Sequence, residues 1–238
     1  MQILSRPSPN AGPRRGGASP DLVVLHHTAM LSAEAALDRL CDPAAEVSAH
    51  YLIAEDGRPW ALVPEEARAW HAGPGRWGTV GDVNSRSIGI ELANAGPLDG
   101  FPPFPEPQIR ALETLLGAIR SRWPIPPARV IAHSDMTPGR KSDPGPKFDW
   151  RRLAAAGHAV WPEPAPEPAP APSSADQGRF DAAAAAAGYA GEAEAVLAAF
   201  RLRFRPWAGG APLDGTDVAL AEALAAAHPC VDAAPPRP

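Results

Sequence analysis

Cysteine is scarce in this chain, and that scarcity argues against a fold held together by disulfides. Its two cysteines, Cys41 and Cys230, lie far apart among 238 residues, so we expect two unpaired thiols. No apolar run approaches the roughly 20 residues that a bilayer-spanning helix needs. The opening residues, MQILSRPSPNAGPRRGG, lack the apolar core of a secretory signal. The sequence as given predicts a cytoplasmic protein, with a periplasmic or envelope-associated location as the alternative.

Excess positive charge is lacking as well. The chain has 22 Lys and Arg against 27 Asp and Glu, for a formal net charge of -5. This balance argues against nucleic acid or an anionic membrane surface as the main partner. What the chain does have is a hydrophobic fraction of 45%, enough for a core, and 31 prolines. Many prolines are clustered, which indicates linkers and rigid loops rather than a disordered chain.

Hydrophobic patterns predict strands that alternate with helices. The predicted elements are strands at 22–26, 87–92 and 129–133, a hairpin at 50–63 and a helix at 106–123. The Asp56-Gly57 pair supplies the turn of the hairpin. Ser32 is a typical N-cap for a further helix. We therefore expect an α/β fold with a central mixed β-sheet flanked by helices.

Composition divides the chain into four segments. Residues 1–20 are rich in Pro, Gly and Arg and predict an irregular arm, and 21–160 form the main domain. The segment 161–175 is a Pro/Ala-rich linker. Residues 176–232 are rich in alanine and predict a small all-α domain, with helices at 177–187, 191–204 and 215–227.

Two histidines stand at the carboxyl ends of predicted strands, where α/β sheets bind ligands. They are His26 and His133, and Asp143 follows the second across a loop rich in Pro and Gly. Two imidazoles and a carboxylate form an established catalytic zinc set, with a fourth position open for water. Single histidines are more often structural or solvated, so spacing alone leaves both interpretations open.

Five blocks of sequence resemble the zinc-dependent N-acetylmuramoyl-L-alanine amidases. That family shares its fold with phage lysozyme-type amidases and peptidoglycan recognition proteins. The blocks are VVLHHTA (23–29), VSAHYLIAEDG (47–57), AWHAG (69–73), NSRSIGIELAN (84–94) and VIAHSDMTPGRKSDPGPKFDW (130–150). The C-terminal segments AVLAAFRLRFRPW and LDGTDVALAEAL resemble a helical peptidoglycan-binding module. The resemblance thus covers most of the chain beyond residue 20.

This resemblance implies a role for each matching residue. His26, His133 and Asp143 would hold one Zn²⁺ per chain. Glu91 would act as general base and then general acid, and Lys141 would stabilise the oxyanion. His27, beside the first ligand, is expected to pack or to support the site from behind.

Four further residues are expected to contact substrate. His50 matches a position that lines the cleft in relatives, and Trp70 and His71 lie in an unpatterned loop that would form a wall for sugar or stem peptide. Arg86 would pair with a stem-peptide carboxylate. For Arg86 the alternative is an ordinary surface charge.

The implied function is hydrolysis of the amide bond between N-acetylmuramic acid, or its anhydro form, and L-alanine of the stem peptide. We expect a monomeric bacterial enzyme whose partner is peptidoglycan or a muropeptide. The alternative is a non-catalytic peptidoglycan-binding protein of the same fold, and segment 176–238 would alternatively bind a protein partner. The sequence leaves open whether the substrate is a soluble muropeptide or the intact sacculus.

Overall fold

The computed structural model describes residues 2–162 and 176–232. Within them the strands are β1 Leu4–Ser5, β2 Ala11–Pro13, β3 Leu22–His27, β4 Tyr51–Ile53, β5 Pro59–Ala61, β6 Ala67–Ala69, β7 Ser87–Leu92 and β8 Val130–Ala132. The helices are α1 Ala33–Cys41, α2 Val83–Arg86, α3 Glu106–Arg122, α4 His133–Met136, α5 Trp150–Ala155, α6 Asp176–Ala187, α7 Ala193–Phe204 and α8 Gly215–Ala227. None of the described helices is long and apolar enough to cross a membrane.

A mixed sheet organises the main domain, as predicted. Its strand order is β1-β5-β4-β7-β3-β8. Strands β4 and β5 form the predicted antiparallel hairpin, whereas the other neighbours run parallel. The parallel strands β7, β3 and β8 therefore end at one edge of the sheet. Glu91, His26 and His133 lie along this edge in that order.

Side chains of β3 alternate between two hydrophobic cores. Val23 and Leu25 join the core formed with α3, and Leu22 and Val24 join the core formed with the C-terminal helices. Because successive residues of a strand point to opposite faces, His26 lies on the side of the C-terminal helices. The alternation thus separates His26 from its neighbour His27.

The C-terminal helices lie within two residues of the predicted bounds. They pack on one another and share one buried core with the sheet, so apolar side chains of α6 and α7 such as Phe180 and Phe200 are fully buried. The division into two domains stays a prediction. Most of the expected linker, residues 163–175, lies outside the described residues.

The N-terminal arm, expected to be irregular, contains two short strands that pair with the rest of the chain. Strand β1 pairs in parallel with β5, and β2 pairs antiparallel with β6. The buried guanidinium of Arg14 donates to the carbonyl oxygens of Glu65, Asn84, Ser85 and Ser87. These strands are two and three residues long and pair through their backbones, so they carry no hydrophobic period that sequence patterns could show.

Candidate active site

Three side chains converge at the carboxyl edge of the sheet. His26 Nδ1 lies 2.9 Å from His133 Nδ1, and Asp143 Oδ2 lies 3.0 Å from the first nitrogen and 2.9 Å from the second. All three side chains are buried. They form a candidate metal site, the group that the sequence predicted.

Hydrogen bonds made by the Nε2 atoms of His26 and His133 leave the Nδ1 lone pair of each ring available for a metal ion. His133 Nε2 lies 2.9 Å from the carbonyl oxygen of Ala72 and must therefore donate to it. His26 Nε2 lies 3.0 Å from His71 Nδ1. Burial, followed by the charge of His133, lowers the pKa of His26 to about 4, so this imidazole is neutral. Two imidazoles and a carboxylate suit zinc, whose bonds to nitrogen are about 2.0–2.1 Å long.

Behind His26, a chain of hydrogen bonds fixes the ring orientation. Ser87 Oγ donates to the Val83 carbonyl at 2.6 Å, so it can only accept from His71 Nε2 at 3.2 Å. His71 Nδ1 is then an acceptor for the N–H of His26. Such partners behind a ligand fix its tautomer and orientation.

Gly89 makes room for this arrangement. A Cβ atom at Gly89 would lie 2.4 Å from the ring of His71, too close for any other residue without displacement. His71 also lines the cleft, as expected, while both of its ring nitrogens are engaged by His26 and Ser87, so its contact with substrate stays a prediction.

Glu91 stands beside the candidate metal site on the neighbouring strand. Residues His26 and Glu91 are partners in the parallel register of β3 and β7. Glu91 Oε2 is buried and has no hydrogen-bond partner among the described residues. Burial, followed by the charge of Asp143, raises the pKa of Glu91 to about 8, and Lys141 opposes the shift. This carboxyl can therefore hold or release a proton near neutral pH.

A cleft of about 320 Å³ opens in front of these groups. Trp70 lines it, as predicted, together with apolar side chains such as Met30 and Val47. Lys141 is exposed at the cleft, and Arg39 of α1 lies along it as a further exposed cation. The cleft therefore combines an apolar wall with positive charge.

His50, expected to contact substrate, is instead a structural residue. The side chain is completely buried and does not line the cleft. Its Nδ1 accepts from the Gly89 N–H at 2.9 Å, and Nε2 lies 3.1 Å from the Ala67 carbonyl. Burial lowers the pKa of His50 to about 3. The neutral ring thus joins β7 to β6.

Arg86 also departs from its expected role. It precedes β7, at the opposite end of the strand from Glu91. Its Nε donates to Asp21 Oδ1 at 2.8 Å, and a second nitrogen lies 3.7 Å from Asp232. Arg86 thus ties the start of β3 to the C-terminal segment. The block match identified the strand correctly but could not tell which end faces the cleft.

His27 packs on the far face of β3, in agreement with its expected packing role. Its ring lies against Phe101, with 6.1 Å between centroids, and against Gly96. Neither ring nitrogen has a partner among the described residues.

Three residues of the site could not be singled out from the sequence: Ser87, Gly89 and Asp135. Each lies inside a block that resembles the amidases, SIGIEL or HSD, but single small or polar residues within such a block carry no separate signal. Asp135 is completely buried two residues after His133.

Fold and site together define a class: α/β proteins with a buried group of two histidines and one carboxylate, a candidate metal site, at the end of a mixed sheet. Comparison with known proteins narrows this class. The family model described as N-acetylmuramoyl-L-alanine amidase matches residues 16–146. The chain belongs to this family, and it is an amide hydrolase.

Relatives agree in sequence and in structure. The chain is 37% identical to N-acetylmuramoyl-L-alanine amidase AmiD of Escherichia coli K12, over 85% of this chain and 81% of the relative. It is 33% identical to 1,6-anhydro-N-acetylmuramyl-L-alanine amidase AmpD of Citrobacter freundii, over 63% of this chain and 87% of the relative.

Solved structures of relatives cover nearly the whole chain. The Escherichia coli AmiD complex with the substrate anhydro-N-acetylmuramic acid-L-Ala-D-gamma-Glu-L-Lys superimposes with a TM-score of 0.78 at 34% identity, covering 92% of this chain and 91% of that one. AmpDh3 from Pseudomonas aeruginosa, in complex with anhydromuramic pentapeptide, gives 0.76 at 32% identity, covering 94% and 96%.

Proposed function

We propose that this chain is a zinc amidase that cleaves the bond between the lactyl group of anhydro-N-acetylmuramic acid and L-alanine of the stem peptide. The observation that carries the proposal is the convergence of His26, His133 and Asp143 on one point, with Glu91 on the adjacent strand. The substrates named for the AmiD and AmpD relatives support the choice of the anhydro form.

The residues of the chain divide the chemistry between them. Zinc, when bound by His26, His133 and Asp143, would polarise the scissile carbonyl and lower the pKa of water. Glu91 takes the proton from the attacking water and passes it to the leaving amine of L-alanine. The raised pKa of Glu91, about 8, suits a group that must accept and then release a proton at neutral pH.

Positive charge in the cleft stabilises two anionic parts of the reaction. Lys141 places an ammonium group where the carbonyl oxygen becomes negative. Arg39, which also lines the cleft, would attract the carboxylates of the stem peptide. Trp70 offers an apolar surface for the sugar or the lactyl group.

Zinc content and product analysis test this proposal. Purified protein should hold about one zinc per chain and release free stem peptide from an anhydro-muropeptide, as followed by mass spectrometry. His133→Ala should lose both properties, whereas His158→Ala, which changes a histidine outside the cleft, should keep both. Binding of muropeptide without release of peptide would favour the non-catalytic peptidoglycan-binding alternative.

Substrate form and location are tested by a second comparison. Turnover of soluble anhydro-muropeptide with little release from intact sacculi would favour recycling in the cytoplasm. Comparable release from sacculi would favour wall remodelling in the periplasm or envelope. Cell fractionation with an antibody to the chain then locates the protein directly.

We also propose that residues 21–160 act as the catalytic domain and that 176–232 contribute affinity for peptidoglycan. Trp207 supports a binding surface in this segment, because it is 74% exposed and aromatic rings stack on apolar faces of ligands. Trp207→Ala should reduce co-sedimentation with sacculi while leaving turnover of soluble muropeptide unchanged. Equal sedimentation would contradict the proposal.

A further inference from the structure

A buried carboxylate links the C-terminal helices to the segment that carries His133. Asp135 is the third residue of α4 and is completely buried. Its Oδ2 accepts from the backbone N–H of Ala132 at 2.9 Å, directly before His133. The first N–H groups of a helix lack partners within the helix, so this carboxylate fixes the start of α4.

The same carboxylate is held by two residues from the C-terminal part of the chain. Tyr189 Oη donates to Asp135 Oδ1 at 2.8 Å, and Arg203 donates to Oδ2 at 2.7 Å. Arg203 also donates to the carbonyl oxygen of Val130 at 3.3 Å and stacks on Trp150, with its guanidinium carbon 4.2 Å from the ring centroid. A buried charge is stable only when it is paired and hydrogen-bonded, so Asp135 keeps its position only with these partners in place.

The backbone of α4 is connected to two of the three candidate metal ligands, His133 and Asp143. His133 opens the helix, and the N–H of Ser134 donates to the carbonyl oxygen of Asp143 at 3.0 Å. A shift of α4 would therefore move one histidine ligand and the carboxylate ligand relative to His26. Metal affinity is sensitive to such displacements because ligands must hold their geometry within about 0.5 Å.

We propose that Tyr189 and Arg203 are positioning residues for the metal centre: through Asp135 they hold α4 so that His133 and Asp143 meet His26. The helices would thus serve the active site directly, in addition to any affinity they have for the cell wall. This inference rests on the proposed zinc function.

The chain offers a matched control. Arg201 forms a second buried Arg–Asp pair, with Asp217, and both of its members lie in the C-terminal helices. Arg201 and Arg203 both lie in α7, and replacing either one with methionine breaks one buried ion pair. Only Arg203→Met removes a partner of Asp135.

Zinc affinity measured by competition with a chelator tests the proposal, with the melting temperature of the zinc-free protein recorded for every variant. We expect Arg203→Met to weaken zinc binding about tenfold or more and Tyr189→Phe to weaken it by a few-fold. Arg201→Met should lower the melting temperature but leave zinc affinity within about twofold of wild type. Adding Asp135→Asn to Arg203→Met should recover part of the affinity, because the unpaired charge is removed.

Equal losses of affinity in Arg203→Met and Arg201→Met would overturn the inference and show a general effect of stability. Tyr189→Phe, which removes one hydroxyl group, decides the question if Arg203→Met does not fold: unchanged affinity in this variant overturns the inference. The wild-type measurement separates the two proposals. A wild-type chain that binds zinc and cleaves muropeptide, with variants of equal affinity, leaves the proposed function intact, whereas a wild-type chain without zinc affinity removes both.

Discussion

Glu91 owes its proposed role to its surroundings as much as to its type. Asp143, the other carboxylate of the site, lies 2.9–3.0 Å from ring nitrogens of His133 and His26, and the interactions with these two residues outweigh burial and hold its pKa well below its usual range. Glu91 Oε2 is buried and has no hydrogen-bond partner among the described residues, and the pKa of Glu91 is raised. Environments that separate the pKa values of two carboxyl groups divide their tasks, which supports the proposed division into metal ligand and proton carrier.

Replacing Glu91 should greatly reduce turnover and leave zinc binding unchanged. We expect Glu91→Ala to lower kcat by about 10²–10⁴-fold, the usual contribution of a general acid–base group, while zinc stays near one per chain. Steady-state kinetics and metal analysis check this. Glu66→Ala changes an exposed carboxylate outside the cleft and serves as the control. Turnover like that of wild type in Glu91→Ala would refute the proton-carrier role.

Arg39 should contribute to recognition of acidic stem peptides. Its guanidinium is exposed along the cleft, so the contribution is modest, and we expect Arg39→Gln to raise KM roughly three- to fivefold with little change in kcat. Arg86→Gln, remote from the cleft, should leave KM unchanged. Kinetics on muropeptides with a free or an amidated glutamate carboxylate would show the effect. An equal rise in KM on both substrates would contradict it.

Roles that depend on residue type and motif could be predicted, whereas roles that depend on direction could not. The block matches predicted correctly that the three ligand candidates lie close together and that Glu91 and Lys141 lie at the cleft. They placed His50 and Arg86 there too, although one is buried between strands and the other lies at the wrong end of β7. A motif gives the type and order of residues, but burial and strand polarity are set by tertiary packing.

Among the elements, β7 is strongly constrained because both of its faces are occupied. Gly89 faces the ring of His71, and the fully buried Ile88 and Ile90 belong to the core under α3. The strand was predicted from its alternation, but the need for glycine within it comes from a side chain 18 positions earlier. Contacts of this kind between distant residues leave no local pattern.

Gly89→Ala should therefore damage the metal site from behind. The new methyl group would displace His71, and we expect a loss of about 1–3 kcal/mol in the free energy of unfolding together with weaker zinc binding. Denaturant unfolding and chelator competition measure the two effects. Gly178→Ala, in α6 where an added Cβ meets no atom within 4 Å, should instead stabilise the chain by up to about 1 kcal/mol. Unchanged zinc affinity in Gly89→Ala would contradict the role of His71.

Glu65 joins the end of α3 to the hairpin. Arg122 and Trp123 donate to its carboxylate at 2.7–2.9 Å, and Tyr51 donates at 2.8 Å. Burial alone would raise the pKa of Glu65, but these hydrogen bonds outweigh it and lower the pKa below the ordinary value of 4.5. A lowered folded-state pKa stabilises the protein above the ordinary value, and the gain is lost as the pH falls through the folded value.

Acid should therefore destabilise the chain partly through Glu65. We expect the melting temperature of wild type to fall below about pH 4.5, and Glu65→Gln to show a lower melting temperature at pH 7 but a shallower fall in acid. Calorimetry from pH 3 to pH 7 measures both. Glu66→Gln is the matched neighbour and should follow wild type. An acid limb equally steep in Glu65→Gln would show that other carboxylates account for it.

At the scale of the whole molecule, the C-terminal helices act as a layer of the fold. They bury Leu22, Val24 and Ile131 of the sheet, and the Arg129–Asp232 ion pair joins the two parts at 2.6 Å. The sequence predicted the bounds of these helices to within two residues, because the alanine-rich pattern that indicates a helix lies within the helix itself. It did not predict their docking on the sheet, since that depends on surfaces distant in the chain.

Truncation tests this layer. A chain ending at residue 162 would expose the face of the sheet that the helices cover, and we expect it to aggregate or to melt about 10 °C or more below the full chain. Light scattering and calorimetry measure these outcomes. Trp207→Ala changes a solvent-exposed side chain of the same segment and should melt like wild type. A monomeric truncated chain of unchanged melting temperature would show that the layer is dispensable.

The parallel register that pairs His26 with Glu91 has a consequence for how such enzymes diversify. Neighbouring strands are held about 4.7–4.9 Å apart by their backbone hydrogen bonds, whatever the lengths of the loops that follow them. Insertions in the loops after β3 and β7 can therefore reshape the cleft for a new muropeptide while the spacing between the proposed ligand and the proposed proton carrier is inherited unchanged. Substrate preference and reaction chemistry can in this way evolve separately within one sheet.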